Sequence, residues 1–290
     1  MSRFTSEASD VESLSNQEVA EIERTAVELA RVAGAEIQTA FGGMLAVKYK
    51  DLPGAAMAWR DPVSQVDSRV ELLIRTRLGE QFGDHDILGE EFDERPGRDH
   101  DIVWAIDPVD GTANFVNGFP MFAASIGVLH RGIPIVGALW CATSHALRAG
   151  VYHTRRGAPL CFEGEPIDPK PNPPVRRRLG GVPYGGATAQ SPWDWRITGS
   201  AALECAFVAA GLLQLALFER PNVWDVAGGI ALIQAGGGEV WTRGAAGWAP
   251  FERFERIGCL DGKPTDLRNW RQWLIVGERD AVTGLRSKLD

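Results

Sequence analysis

Ile102-Val103-Trp104-Ala105-Ile106, followed at once by Asp107-Pro108-Val109-Asp110-Gly111-Thr112, is the stretch on which the fold turns. The first five residues are an apolar, β-branched run of the length of a buried strand, so the two acids stand at a strand's carboxyl end. Pro108 fixes its own φ and removes one backbone donor, which favours a defined bend between the carboxylates. Gly111 lets a ligand approach the backbone, and Thr112 adds a hydroxyl beside the N–H groups that follow. Oxygens fixed in this way suit a hard cation such as Mg²⁺, and free N–H groups next to it suit phosphate oxygens. The competing reading is an ordinary surface turn, since Asp, Pro and Gly are the commonest turn formers. An EF-hand is excluded, because its acids fall at loop positions one, three and five.

Two other acidic clusters weigh against the ordinary turn. Upstream, Asp86-Ile87-Leu88-Gly89-Glu90-Glu91 is a short strand ending in adjacent acids. Downstream, Asn222-Val223-Trp224-Asp225-Val226-Ala227-Gly228-Gly229 places an Asp before a small-residue, apolar helical pattern, where it would cap the helix or ligate a metal. Taken singly, a Glu pair is a solvated face and Asp225 a helix cap. Together they put acids at three element boundaries.

These three segments, in this order and separation, resemble the signature motifs of the inositol monophosphatase family, and the similarity extends over nearly the whole chain. The resemblance implies an α/β (α+β) protein with the layered αβαβα sugar-phosphatase fold, and a Mg²⁺-dependent, lithium-sensitive phosphomonoesterase, commonly a homodimer, using two or three Mg²⁺ per active site. It further implies that Glu90, Asp107 and the Val109 carbonyl hold one Mg²⁺ while Asp107, Asp110 and Asp225 hold a second. Ser64-Gln65-Val66-Asp67 resembles the segment whose Asp pairs with the motif Thr, so Asp67 and Thr112 would orient the attacking water. The Gly111 and Thr112 amides would bind phosphate, and Gly199-Ser200-Ala201 would meet the sugar part of the substrate. Relatives carry an acid seven positions before the residue matching Asp225. Here that position is Phe218, with Glu219 next: either a one-residue deletion within 220–223 restores Glu219 as a hydroxyl acceptor, the favoured reading, or the sugar contact is lost.

Such an acidic constellation has a chemical rationale. Phosphate monoesters hydrolyse extremely slowly unaided, and paired divalent cations activate water and stabilise the leaving oxygen. Four mutually repelling carboxylates should leave the protein less stable without cations. Other chemistries find no support: the chain has neither a phosphate-loop Gly-x-x-x-x-Gly-Lys-Ser/Thr nor His-Glu-x-x-His. Gly236-Gly237-Gly238 follows a helical pattern and reads as a helix end rather than a dinucleotide fingerprint. Ser125 lies inside an apolar strand run, unlike a nucleophile elbow.

At 290 residues and 44% hydrophobic, the chain can bury a large core as one big domain or two modest ones. A net charge of −8 disfavours nucleic-acid and membrane surfaces. Cys141, Cys161, Cys205 and Cys259 form no C-x-x-C pair, which fits reduced thiols in a cytoplasmic protein. The polar, acidic N-terminus lacks the features of a secretion signal, and the window 201–218 is too interrupted to span a bilayer.

Periodicity organises the rest. Ser15-Asn16-Gln17-Glu18 reads as a capping box opening a helix with Val19, Ile22, Ala26, Leu29, Ala33 and Ile37 on one face. A second helix carries Val70, Leu73, Ile74, Leu78 and Phe82. Between them, residues 46–60 read as a loop whose Lys48 and Lys50 stand near where the family places a metal-covering loop. A Pro-rich, basic connector over 165–178 separates an expected half, 1–165, carrying Asp67, Glu90 and the central motif, from another, 179–290, carrying Asp225, both forming one catalytic unit. Arg176-Arg177-Arg178 within it reads as a solvated linker. Trp248, Phe251, Phe254 and Trp270 would wall a pocket or an interface, or else cover a core edge.

The expected substrate is a small phosphate monoester, inositol monophosphate above all. A nucleotide 3′-phosphatase or histidinol-phosphate phosphatase shares the same phosphate chemistry, and a non-catalytic metal-binding regulatory protein is the reading from another class.

Overall fold

The computed structural model describes residues 14–49, 62–168, 178–184, 192–255, 259–260, 263–264 and 266–289. In chain order these form α1 (Asn16–Ala40), β1 (Val47–Tyr49), β2 (Pro62–Ser64), α2 (Gln65–Gln81), β3 (Asp86–Gly89), β4 (Ile102–Asp110), α3 (Thr112–Val116), β5 (Ala123–His130), β6 (Ile133–Cys141), β7 (Gly150–Arg155), β8 (Cys161–Phe162) and β9 (Glu165–Pro166). They continue as β10 (Arg178–Val182), β11 (Trp193–Ile197), α4 (Ala201–Ala209), β12 (Leu215–Phe218), α5 (Val223–Ala235), β13 (Glu239–Gly244), β14 (Gly247–Pro250), β15 (Cys259–Leu260), β16 (Lys263–Pro264), a 3-10 turn (Leu267–Asn269), β17 (Trp273–Gly277) and α6 (Arg279–Leu289).

Two sheets dominate. One has seven strands in the order β3-β4-β5-β6-β7-β8-β9, antiparallel except for the β3–β4 pair. The other has six, in the order β11-β10-β12-β17-β13-β14, with β10 parallel to both its neighbours. Helices α1 and α2 cover the outer face of the larger sheet, α4 and α5 fill the space between the sheets, and α6 covers the outer face of the smaller one. The layers read α, β, α, β, α, as the resemblance implies.

The helices form for reasons visible in the sequence. At the start of α1, Ser15 and Glu18 exchange backbone and side-chain hydrogen bonds at 2.8 and 3.2 Å, satisfying orphan N–H groups. All six expected apolar-face residues of α1 are buried. The middle-layer helix α5 is apolar on nearly every side because protein surrounds it. It lies directly on backbone: a Cβ on Gly127 would stand 2.4 Å from the Gly228 nitrogen, and one on Gly137 2.2 Å from the Gly228 carbonyl oxygen. That close approach requires glycine and fixes how deep α5, and Asp225 near its start, sits on the larger sheet.

Several expectations are corrected. The strand expected over 102–106 runs on through Asp110, and the motif's first four residues are its irregular end rather than a separate turn. The register with β5 shifts between Asp107 and Asp110, where Pro108 cannot donate to the ladder. Part of the expected loop over 46–60 is strand: Val47–Tyr49 pairs with Pro62–Ser64. Lys48 is exposed on it, while Lys50, residues 51–60, Arg176 and Arg177 lie outside the described residues. Leu73 is only half-buried, and Phe82 caps the end of α2. Phe251, Phe254 and Trp270 pack edge to face in sequence, with centroids 4.9 Å apart at both contacts. They belong to the core between the sheets, the plainer of the two expectations for those aromatics.

Candidate active site

Glu90, Asp107, Val109, Asp110 and Asp225, scattered over the sequence, line one cavity of about 420 Å³. Gly111, Thr112, Gly199, Ala201 and Glu219 line it too. Glu90 follows the end of β3 and donates its amide to the Ile106 carbonyl at 3.2 Å. Parallel pairing of β3 with β4 therefore sets Glu90 beside Asp107. Asp225 lies in the first turn of α5. The expected cap position belongs to Asn222, whose amide donates to the Asp225 carboxylate at 2.8 Å.

Gly111 sits between β4 and α3 at φ 88°, a left-handed conformation. Opposite it, Gly199 at φ 75° brings the substrate-loop backbone against the motif: a Cβ on Gly111 would be 3.2 Å from the Gly199 carbonyl oxygen. Asn114 staples the two loops, its amide donating to the Met121 carbonyl at 2.6 Å and the Thr198 carbonyl at 2.7 Å. The Thr112 hydroxyl lies 2.8 Å from both an Asp67 carboxylate oxygen and the Val109 carbonyl. Having one proton, it donates to one of them at a time. Asp67 is buried, and its other oxygen accepts from the Ser64 amide at 3.0 Å and the Ser64 hydroxyl at 2.5 Å, the capping box that opens α2. Asp67 thus reaches the cavity through Thr112 rather than lining it.

Ser200 departs from expectation. It is buried, and its hydroxyl donates to Asp110 rather than facing the cavity. Asp110 also accepts from the Ala202 amide at 2.7 Å and the Ala201 amide at 3.3 Å, at the positive end of α4. The loop expected to meet the sugar therefore anchors a carboxylate as well. The Ser200 amide in turn donates to the Thr198 hydroxyl oxygen at 3.2 Å, and Thr198 leans on the buried Glu204 at 2.6 Å.

Electrostatics mark the cluster out. Burial, then the charges of Glu90, Asp110 and Asp225, push the Asp107 carboxyl well above the ordinary range. Burial raises Asp110 to about 6 despite the stabilising Ser200 and Ala202 hydrogen bonds. Asp225 is pushed well up by burial and then by Asp110 and Glu90, although part of its surface opens to the cavity. The cluster calls for positive charge.

Among the described residues, no three His, Cys, Asp or Glu side chains stand in ready-made metal-coordinating geometry. The hydrogen bonds above explain this: Asp110 is turned toward Ser200 and α4, and Asp225 toward Asn222. A carboxylate has about four lone-pair sites, so each keeps acceptor capacity toward the cavity. The donor set, all oxygen, is that of a hard divalent cation.

Residues 18–258 match the family model described as the inositol monophosphatase family. The chain belongs to that family. Its members are phosphoric monoester hydrolases. The chain is 31% identical over 215 residues to a probable inositol 1-monophosphatase, ImpA, of Mycobacterium tuberculosis, covering 68% of this chain and 77% of that protein. It is 30% identical over 259 residues to an inositol-1-monophosphatase of Bacillus subtilis, covering 84% and 93%. Among solved structures, extragenic suppressor protein suhB from Bartonella henselae superposes with a TM-score of 0.72 at 23% identity, over 93% of this chain and 98% of that one, a likeness of fold.

Within this family member, Pro183, Tyr184, Arg220, Pro221 and Asn222 also line the cavity, and the sequence reading gave none of them a role there. Only Asn222 carried a local signal, as the cap of an Asn-x-x-Asp box. The others are brought in by the ends of β10 and β12, which no short-range pattern reports.

Proposed function

We propose that this enzyme hydrolyses a small polyol or sugar phosphate monoester, inositol monophosphate first among them, in a Mg²⁺-dependent reaction. The observation carrying this reading is the convergence of Glu90, Asp107, Asp110 and Asp225 on one cavity beside the Gly111–Thr112 backbone. Glu90, Asp107, Asp110, Asp225 and the Val109 carbonyl would hold the cations. Bound there, divalent cations supply Lewis acidity toward water and the phosphoryl oxygens.

The chain's own groups do the rest. The Gly111 and Thr112 amides open the short helix α3 on the cavity side and hold phosphate oxygens. The Thr112 hydroxyl, placed by Asp67, accepts from and orients the attacking water. Glu219, exposed on the cavity wall, accepts a hydroxyl of the leaving polyol. This reading takes the one-residue deletion: Phe218 at the aligned position lines the cavity too but is apolar and buried, so the carboxylate comes from its neighbour. Inhibition by Li⁺, a homodimer and a cytoplasmic setting complete the reading by family likeness.

A panel of inositol monophosphate, a nucleotide 3′-phosphate, histidinol phosphate and fructose 1,6-bisphosphate, each with and without Mg²⁺, tests it. The last is included because a relative from Aquifex aeolicus, 30% identical over 195 residues, is named fructose-1,6-bisphosphatase/inositol-1-monophosphatase. Release should be fastest from inositol monophosphate and vanish with chelator. Asp110→Asn should reduce it to background while far-UV circular dichroism stays unchanged. Turnover by that variant, or undiminished release in chelator, defeats the reading.

A further inference from the structure

Arg268, in the 3-10 turn before β17, reaches across to the segment that delivers Glu90. One arm of its guanidinium donates to the Gly89 carbonyl and the other, at 3.1 Å, to the Glu90 carbonyl. The same group lies 5.0 Å over the ring of Trp224, the residue before Asp225, and its Nε is 3.1 Å from Asp93. The turn is tied to that segment a second time. Asp266 accepts from the Arg268 amide at 3.2 Å and pairs with Arg95, which also pairs with Asp86 at the start of β3.

From the opposite side, Glu71 on α2 accepts from the Glu91 and Phe92 amides at 2.7 and 3.3 Å. It pairs with Arg75, which donates to the Phe92 and Glu94 carbonyls. Glu90 is thus the point where two clamps meet, one from each sheet's side.

We propose that Arg268 is a positioning residue that locks the backbone at Glu90 against Trp224, and so holds the Glu90 and Asp225 carboxylates at the spacing the cation sites require. The proposal rests on the reading of those two residues as cation ligands. Glu90 stands just past the end of β3, among carboxylates that repel it, and a link between its own backbone and the neighbour of Asp225 opposes that repulsion. A planar guanidinium can serve two adjacent carbonyls while stacking on indole; an ammonium cannot do all three. Lys at this position therefore keeps the charge and loses the bridge.

Mg²⁺ titration calorimetry on wild type, Arg268→Lys and Arg268→Gln, with melting in chelator and the Mg²⁺ dependence of phosphate release, tests this. Mg²⁺ binding should weaken by about 10–100-fold in both variants, the range found when groups that orient metal ligands are removed. kcat should recover at saturating Mg²⁺, and Mg²⁺ should raise the melting temperature of either variant less than that of wild type at the same concentration. Unchanged Mg²⁺ affinity in a folded variant overturns the proposal. So does a kcat that stays depressed at saturating Mg²⁺, which would make the effect a general loosening. If wild type itself binds no Mg²⁺, it is the ligand assignment that fails.

Discussion

The Thr112 hydroxyl lies at equal distance from a buried carboxylate and a backbone carbonyl, and Asp67 is held in place independently by Ser64. Thr112→Ala should therefore spare the fold but leave water without its orienting oxygen. We expect kcat to fall by about 10²–10⁴-fold, the scale of positioned proton-transfer groups, with little change in Tm, and Thr112→Ser to recover most of it. Steady-state kinetics beside a thermal melt check this. At this scale the sequence was informative: residue types marked the Asp107–Thr112 bend as a cation and phosphate site, and the family resemblance, not spacing, joined Asp225 to it on what is one cavity. The Ser200 hydroxyl turns from the cavity to Asp110, since the direction of a side chain at a helix start depends on what the other sheet brings opposite it.

At the scale of elements, the depth of α5 is set by contact between helix and strand backbones at Gly228, Gly127 and Gly137. Gly228→Ala places a methyl 2.6 Å from a Leu139 methyl carbon and 2.9 Å from the Ile126 carbonyl oxygen, so the helix must lift. Overpacking of this kind costs about 1–3 kcal/mol. Because Asp225 rides on the same helix, activity should fall as well. Urea denaturation and phosphate release, measured together, should both drop; a stable, fully active variant would mean that the helix has slack. The Ser15–Glu18 capping box placed the start of α1, and the acids at strand ends placed β3 and the start of β4. Strand lengths were less legible: β4 continues through Pro108 because its neighbour β5 supplies pairing at Asp110 with Ala123, a long-range fact.

For the whole molecule, the buried acids make stability depend on cations and on pH in a linked way. A carboxyl whose folded pKa stands above its unfolded one binds its proton more tightly when folded. Its contribution is therefore complete at low pH and declines as pH rises from the ordinary Asp range through the folded value, which for Asp110 is about 6; Asp107 and Asp225 extend the decline upward. Chelator-treated protein should accordingly melt lower at pH 8 than at pH 6. Mg²⁺ should reverse that difference, adding about 2.7 kcal/mol at a hundredfold excess over its Kd. Scanning calorimetry across both variables decides it, and a melting point indifferent to Mg²⁺ counts against a cation site here. The five-layer order itself was legible only by family resemblance, because alternation of strand and helix in the chain does not say which sheet each strand joins.

The middle layer also has a temporal side. Glu90, Asp107 and Asp110 leave the ribosome long before Asp225, the α4 turn that grips Asp110, and Arg268. Domains generally fold as units, so until the later elements emerge a nascent chain would carry the three early acids without the α4 and α5 that enclose them. Competence would then switch on late in synthesis, when α4 and α5 close over the larger sheet, making the last third of translation the interval in which misfolding is most costly.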